Sequence, residues 1–258
     1  MSDIAQIGVF KEDSQGILAR FVAEADIIFS IDFNQINRLD RLTDTVQANT
    51  TAIRVLIDHH LHPPLDEYTL HFSDTHACST SYIVYQLITA LAGPEALTKA
   101  MAESLYVGIM TDTGNFAYSN LDADLFRAVA ALIDRGISVP YIYSAVYNNF
   151  SEGRMRLMGY MLNDKMKLLW KHGAAYMWLT EEEMRRFNFK QGDSEGFVNY
   201  PLSIRGISLS AMFTQTQHEI RVSLRSRGDV DVNVFARRYF GGGGHRNAAG
   251  GKSFVSME

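Results

Sequence analysis

Residues 53–60 read IRVLIDHH, and the fold turns on them. The run Ile53–Ile57 is apolar but for Arg54, and it stops abruptly at Asp58-His59-His60. A strand covered on both faces reads as a near-continuous apolar run, the habit of parallel sheets. Upstream, IIFSI (27–31) has the same character and ends at Asp32; downstream, LYVGIM (105–110) is read as a third strand, ending at Thr111-Asp112. Helical patterns fall between and around these runs. SQGILARFVAEA (14–25) sets Ile17, Leu18, Phe21 and Val22 on one stripe behind a Ser14 cap. TSYIVYQLITAL (80–91) is stopped by Gly93-Pro94, and DLFRAVAALID (124–134) closes at Gly136. Strand and helix in alternation predict an α/β fold with a parallel, Rossmann-like sheet. An acidic residue stands at the carboxyl end of each expected strand: Asp32, Asp58 and Asp112. That edge is where open parallel sheets bind ligands.

The rest of the chain changes texture. Residues 141–171 read as an amphipathic connector helix, with Met155, Leu157, Met158, Met161 and Leu162 as its packing positions. Strand-like runs follow at 174–179, 206–214 and 219–226, the last two close enough for an antiparallel hairpin. DVNVFARRYF (231–240) is a helix capped by Asp231, and GGGGH leads from it to a short strand at GKSFV. The expected organisation is an α/β domain over 1–145, a connector over 146–171 and a smaller α+β domain over 172–258, with a cleft between the domains.

Composition bounds the class. The chain has 258 residues, 47% apolar and 21% charged, as in ordinary globular proteins. Its 19 glycines and 5 prolines follow no period, which excludes collagen-like and low-complexity chains. No apolar run approaches the roughly 20 residues of a bilayer span, and no basic-then-apolar leader opens the sequence. The single cysteine, Cys78, allows no intrachain disulfide, so a soluble protein in a reducing, cytoplasmic setting is expected. Charge is uneven: residues 1–150 hold 8 Lys and Arg against 18 Asp and Glu, whereas residues 201–258 hold 8 against 4. Five of the eight histidines, from His59 to His76, crowd into one segment.

Carboxylate and imidazole at one strand end suit a borderline divalent ion such as Mn²⁺ or Zn²⁺ better than Ca²⁺ or Mg²⁺. Adjacent histidines on a turn do not easily reach one ion, so one on the metal and one facing substrate is the natural division. Gly241–Gly244 can bring backbone N–H groups close to an anion without Cβ interference, with His245 and Arg246 as further donors and Arg225 as a guanidinium. Ser79 and Thr80, at a helix start, have two readings, a phosphate contact and a plain cap.

At this point the sequence resembles the DHH phosphoesterases. SIDFNQINRLD (30–40), LIDHH (56–60) and GIMTDTGNF (108–116) are similar to that family's second, third and fourth motifs. VSLRSRGDVDVN (222–233) and FGGGGHRNAAGG (240–251) resemble the DHHA1 domain that accompanies them. GDSEGFVNYPLSI (192–204) and the short interdomain connection favour the bacterial branch that degrades nanoRNA and dephosphorylates pAp (3′-phosphoadenosine 5′-phosphate). The resemblance implies two Mn²⁺ ions bridged by Asp32, the second completed by His59 and Asp112. It implies catalytic roles for Asp58, orienting His59, and for His60, touching the scissile phosphate. Substrate would be held by Arg225, Ser226, Gly242, Gly243, Gly244 and His245, with Ser79 and Thr80 beside them. The implied partners are short single-stranded RNA and small nucleotides, with no membrane. Neighbouring branches imply an alternative substrate, cyclic di-AMP or its linear product pApA.

One motif of the family, a leading HxxPDGDA, has no counterpart here: residues 1–26 contain Asp3, Asp13 and Asp26 and no histidine. The chain reads as a member lacking its amino-terminal part, with three expectations. One metal site is retained rather than two if the polypeptide is taken literally, the other reading being a fragment of an ordinary enzyme; a non-catalytic nucleotide-binding remnant stands as the alternative to an enzyme, and an uncovered sheet edge favours aggregation or a homodimer.

Overall fold

The computed structural model describes residues 8–10, 13, 16–118 and 120–255. The chain divides into two compact units, Met1–Val146 and Tyr147–Glu258.

The first unit opens with α1 (Ile17–Ala23), whose first turn is held by Asp13: its carboxylate accepts the N–H groups of Ile17 and Leu18 at 2.8 Å each. The expected Ser14 cap lies outside the described residues. The α1 stripe buries little; Ile17 and Phe21 are exposed, and Val22 packs at the margin of a cluster of Ile36, Val46, Leu56 and Tyr68. Then come β1 (Ile27–Ile31), α2 (Thr43–Ala48), β2 (Ile53–Asp58) and β3 (Leu70–Ser73). The strands form a parallel sheet in that order, with Ile31 opposite Ile57 and Asp58 opposite Ser73. The apolar run explains the central place of β2. Leu56 packs into the cluster on one face, while Val55 and Ile57 meet Ile83 on the other. Ile83 belongs to α3 (Thr80–Ala92), followed by α4 (Lys99–Asp112), α5 (Ala123–Asp134) and α6 (Val139–Tyr147).

Two sequence expectations fail here. LYVGIM is not a strand but the second half of α4. Read back to Thr98, whose side chain accepts the Met101 N–H at 3.2 Å, the buried positions are Ala102, Leu105, Tyr106, Ile109 and Met110. That is a helical stripe, and the six-residue window was too short to reveal it. The third strand is instead LHFS (70–73), a short edge strand within the histidine-rich segment.

The helical pattern is broken at 148–150, just inside the second unit, so residues 141–171 are not one helix. Ser151 starts α7 (Glu152–Tyr160) by accepting the Arg154 N–H at 3.1 Å. A π-type turn at Met161–Lys165 ends that helix, and β4 (Lys167–Leu169) pairs antiparallel with β5 (Ala174–Leu179). Gly173, at φ 57°, makes the turn between them in a conformation glycine adopts without strain. After α8 (Glu181–Arg186) come β6 (Leu209–Gln215), β7 (Ile220–Ser226), α9 (Val232–Phe240), β8 (Gly243–His245) and β9 (Ala248–Ser253). The mixed sheet runs β4-β5-β6-β7-β9-β8 and contains the expected β6–β7 hairpin. Met161, Met177, Leu179, Phe197 and Met212 form the core on one face; Val222, Leu224, Val232, Ala236 and Ala249 form it on the other.

Candidate metal and phosphate site

The site of the first unit is built at the carboxyl edge of the parallel sheet. Asp32 follows β1 immediately, anchored by its N–H to the Ile57 carbonyl at 3.1 Å, with φ at 65°. Asp58 is the last residue of β2 and is fully buried. Asp112 comes from the end of α4, so the third acid reaches this edge from a helix rather than a strand.

These residues converge. Donor atoms of Asp32, His59 and Asp112 all lie within 4.8 Å of one another, and His59 Nε2 stands 3.8 Å from Asp32 Oδ1 and 3.7 Å from Asp112 Oδ2. Two donors bound to one ion at about 2.1 Å each are separated by about 3–4 Å, so the spacing fits a divalent cation. The tautomer fits as well. His59 Nδ1 faces the Ala77 carbonyl at 3.2 Å and can only donate to it, which leaves Nε2, facing the two carboxylates, as the nitrogen available to a cation. Burial, and then the neighbouring Asp32 charge, push the Asp112 carboxyl above the ordinary carboxylate value, against the pull of His59 and His60. A bound cation would relieve that repulsion. Asp32 also shares a second three-donor group with Asp58 and His60, whose donor atoms lie within the same 4.8 Å.

Asp58 serves a different histidine from the one expected. Its Oδ1 is 2.7 Å from His60 Nδ1 and its Oδ2 accepts the His60 N–H at 2.9 Å, so both oxygens engage His60, while His59 is oriented by Ala77. The bond is local: a carboxylate two residues before a histidine reaches its ring when the strand ends in a turn. Burial alone would raise the Asp58 carboxyl, but the His60 bonds outweigh it and hold it below the ordinary value.

Ser79 is buried and caps α3, accepting the Tyr82 N–H at 3.1 Å, which is the capping reading of that residue. Thr80 is not the cap, and its hydroxyl donates to Asp32 Oδ1 at 2.7 Å. Sequence reasoning also missed Asn34, buried, whose side chain donates to the Leu61 carbonyl at 2.9 Å and ties the segment after Asp32 to the loop after His60. Its place two residues after Asp32 was the available signal. Cys78 is buried, burial pushes its thiol up, and among the described residues it joins no three-donor group.

In the second unit, strand register aligns the expected anion-binding residues. Ser210, Arg225, Ala248 and His245 are successive partners across β6, β7, β9 and β8, so Arg225 and His245 share one face with the small Ala248 between them. Arg225 donates to the Leu224 carbonyl at 2.9 Å and, among the described residues, joins no salt bridge. Ser226 falls on the opposite face, its hydroxyl donating to the Val230 carbonyl at 2.6 Å and accepting from Asn247 at 2.8 Å; it secures a turn. Arg246 pairs with Asp229 at 3.2 Å. The glycine run is an edge strand rather than a free loop. A Cβ at Gly242 would come 1.8 Å from the Gly250 carbonyl oxygen, and one at Gly244 would come 2.5 Å from that of Ala248. Close approach of β8 and the residue before it to β9 is what requires glycine at 242 and 244.

Comparison with known proteins supplies the family. Residues 2–109 match the DHH family, N-terminal domain, and residues 173–254 match the DHHA1 domain. The chain belongs to the DHH family. This DHH protein is 32% identical to the bifunctional oligoribonuclease and PAP phosphatase NrnA of Bacillus subtilis, over 75% of this chain and 60% of that one. It is 30% identical to the NrnA of Thermus thermophilus, over 75% of this chain and 56% of that one. An exopolyphosphatase-related protein of Bacteroides fragilis is similar in structure, with a TM-score of 0.88 and 39% identity, covering 95% of this chain and 71% of that one. The chain thus spans 60% and 56% of the length of the two NrnA relatives. No helix among the described residues is long and apolar enough to cross a membrane.

Proposed function

We propose that this DHH protein is a metal-dependent phosphoesterase that degrades short oligoribonucleotides and removes the 3′-phosphate of pAp, with Mn²⁺ as its ion. The observation that carries the reading is the convergence of Asp32, His59 and Asp112 within 4.8 Å, with the His59 tautomer fixed from behind. The names of the Bacillus subtilis and Thermus thermophilus relatives support the substrate class.

Asp32, His59 and Asp112 would hold the ion. When bound, it would lower the pKa of a coordinated water and polarise a phosphoryl oxygen. The chain's own residues do the rest. Asp58 accepts the Nδ1–H of His60, fixing the ring so that Nε2 points away from the buried carboxylate. His60 Nε2 is then the ring atom left to meet a phosphate oxygen. Arg225 and His245, on one face of the second unit's sheet, supply donors for a substrate phosphate.

The test is hydrolysis of a 5′-labelled diribonucleotide and of pAp by the purified chain with Mn²⁺. Release of mononucleotide and of phosphate is expected, and chelation should stop both. Binding of nucleotide without turnover at any metal concentration would replace the enzyme with a nucleotide-binding protein.

A further inference from the structure

We propose that Thr80 is a positioning residue for Asp32: its hydroxyl, donated to Asp32 Oδ1 at 2.7 Å, holds that carboxylate in the orientation that faces His59 and Asp112. The inference rests on the reading of Asp32, His59 and Asp112 as ligands of one divalent cation, and deepens it.

The two partners differ in freedom. Asp32 follows an edge strand in a left-handed backbone conformation, and its side chain is 56% exposed. An exposed carboxylate has several rotamers open to it, and a metal site needs one. Thr80 is 3% exposed and begins α3, next to the Ser79 cap. Its β-branched side chain is stiff, and α3 is fixed to the sheet by Ile83 packing on Val55 and Ile57. The rigid donor therefore orients the mobile acceptor. A hydroxyl suits the task because it is neutral. A lysine there would also orient Asp32, but its charge would repel the cation. A threonine has one hydrogen to give and leaves the carboxylate charge and its remaining lone pairs available.

Sequence position alone gave Thr80 two other roles, a phosphate contact and a helix cap. Ser79 already fills the cap, and the Thr80 hydroxyl is turned onto the carboxylate. If the bond merely satisfied a buried hydroxyl, its loss would cost stability and leave metal affinity unchanged.

The experiment titrates Mn²⁺ into the full chain by calorimetry and by electron paramagnetic resonance of the free ion, with thermal unfolding in chelator as the control for folding. Thr80→Val should weaken Mn²⁺ binding by about 10–100-fold, the usual loss when a ligand's hydrogen-bond partner is removed. Thr80→Ser should restore affinity to within about threefold of the original, because the donor returns. Should the valine variant fail to fold, Thr80→Ala, which removes the hydroxyl without adding a methyl, is read in the same titration. Unchanged affinity in Val or Ala, or a serine variant as weak as valine, overturns the inference. Asp32→Asn and His59→Ala separate its failure from that of the underlying reading. If both abolish binding while Thr80→Val does not, only the role of Thr80 falls. If neither affects binding, or the unaltered chain binds no Mn²⁺, the metal site and this inference fall together.

Discussion

Asp32, His59 and Asp112 on one side and Arg225 on the other are assigned different work, and kinetics should divide them. His59 contributes a donor to a group whose atoms lie within 4.8 Å, and its imidazole has no substitute there. His59→Ala should therefore abolish turnover while nucleotide binding persists. Arg225 offers a charge before and during reaction alike, so Arg225→Ala should raise KM with a smaller change in kcat. Steady-state rates on pAp for the two variants check the division, and matching patterns would refute it. Asp58→Asn keeps the shape of the pair but loses the carboxylate that accepts the His60 Nδ1–H at 2.7 Å. A fall of about 10²–10³ in kcat is expected, the range for losing one positioned donor to the reacting group. A loss below about threefold in the same assay would leave His60 without that role.

At the scale of elements, the π-type turn at Met161–Lys165 and the start of α8 are joined by a buried charge network. Lys165 Nζ lies 2.6 Å from Glu183 Oε1, Tyr160 donates to the same oxygen at 2.6 Å, and Thr180 donates its N–H and hydroxyl to Oε2. Burial alone would raise the Glu183 carboxyl, but these bonds outweigh it and hold it at about 2; the Tyr160 hydroxyl, bonded to that anion, is pushed up to about 12. A carboxyl with a lowered folded-state pKa adds stability that is complete above its unfolded value of 4.5 and is lost as pH falls towards 2. The linkage amounts to on the order of 3 kcal/mol. Thermal unfolding from pH 7 to pH 2.5 should show Glu183→Gln flattening the acid-side loss; parallel curves for variant and original would exclude it. The edge strand β8 gives a simpler test. Gly242→Ala forces a Cβ against the Gly250 carbonyl, and the midpoint of thermal unfolding should drop by several degrees, corresponding to about 1–3 kcal/mol. An unchanged midpoint would mean that β8 does not pack as described.

At the scale of the whole molecule, the uncovered apolar surface sets behaviour in solution. Ile27, Phe29 and Ile31 on β1 are 50%, 55% and 48% exposed and share one face with the exposed Leu70 and Phe72 of β3. Among the described residues β1 is an outer strand of the sheet, so this row lies beside backbone groups that no other described strand pairs. Long apolar edges of this kind associate. Light scattering of the 258-residue chain should show dimers or larger species, and Phe29→Lys should shift them towards monomer. A monodisperse monomer across the concentration range would refute the prediction.

Several decisions were local and therefore legible in the chain itself. A doubly buried strand must be a continuous apolar run, which placed β2 at the sheet centre and Asp58-His59-His60 at its ligand-binding edge. Asp231 capping α9, and the two nearby strand runs forming the β6–β7 hairpin, depend on neighbours a few residues away. The five motifs pointed to the family for the same reason: each is short and contiguous. What required the tertiary structure was any choice among partners distant in sequence. The run at 105–110 has the same apolar content as a strand, and only its packing with Ala102 and its cap at Thr98 makes it helical. The Ala77 carbonyl lies 18 positions from His59, and Thr80 lies 48 positions from Asp32. No periodicity encodes such pairs. They exist because α3 packs on β2 and carries a buried hydroxyl to the sheet edge, where an exposed carboxylate needs a fixed donor.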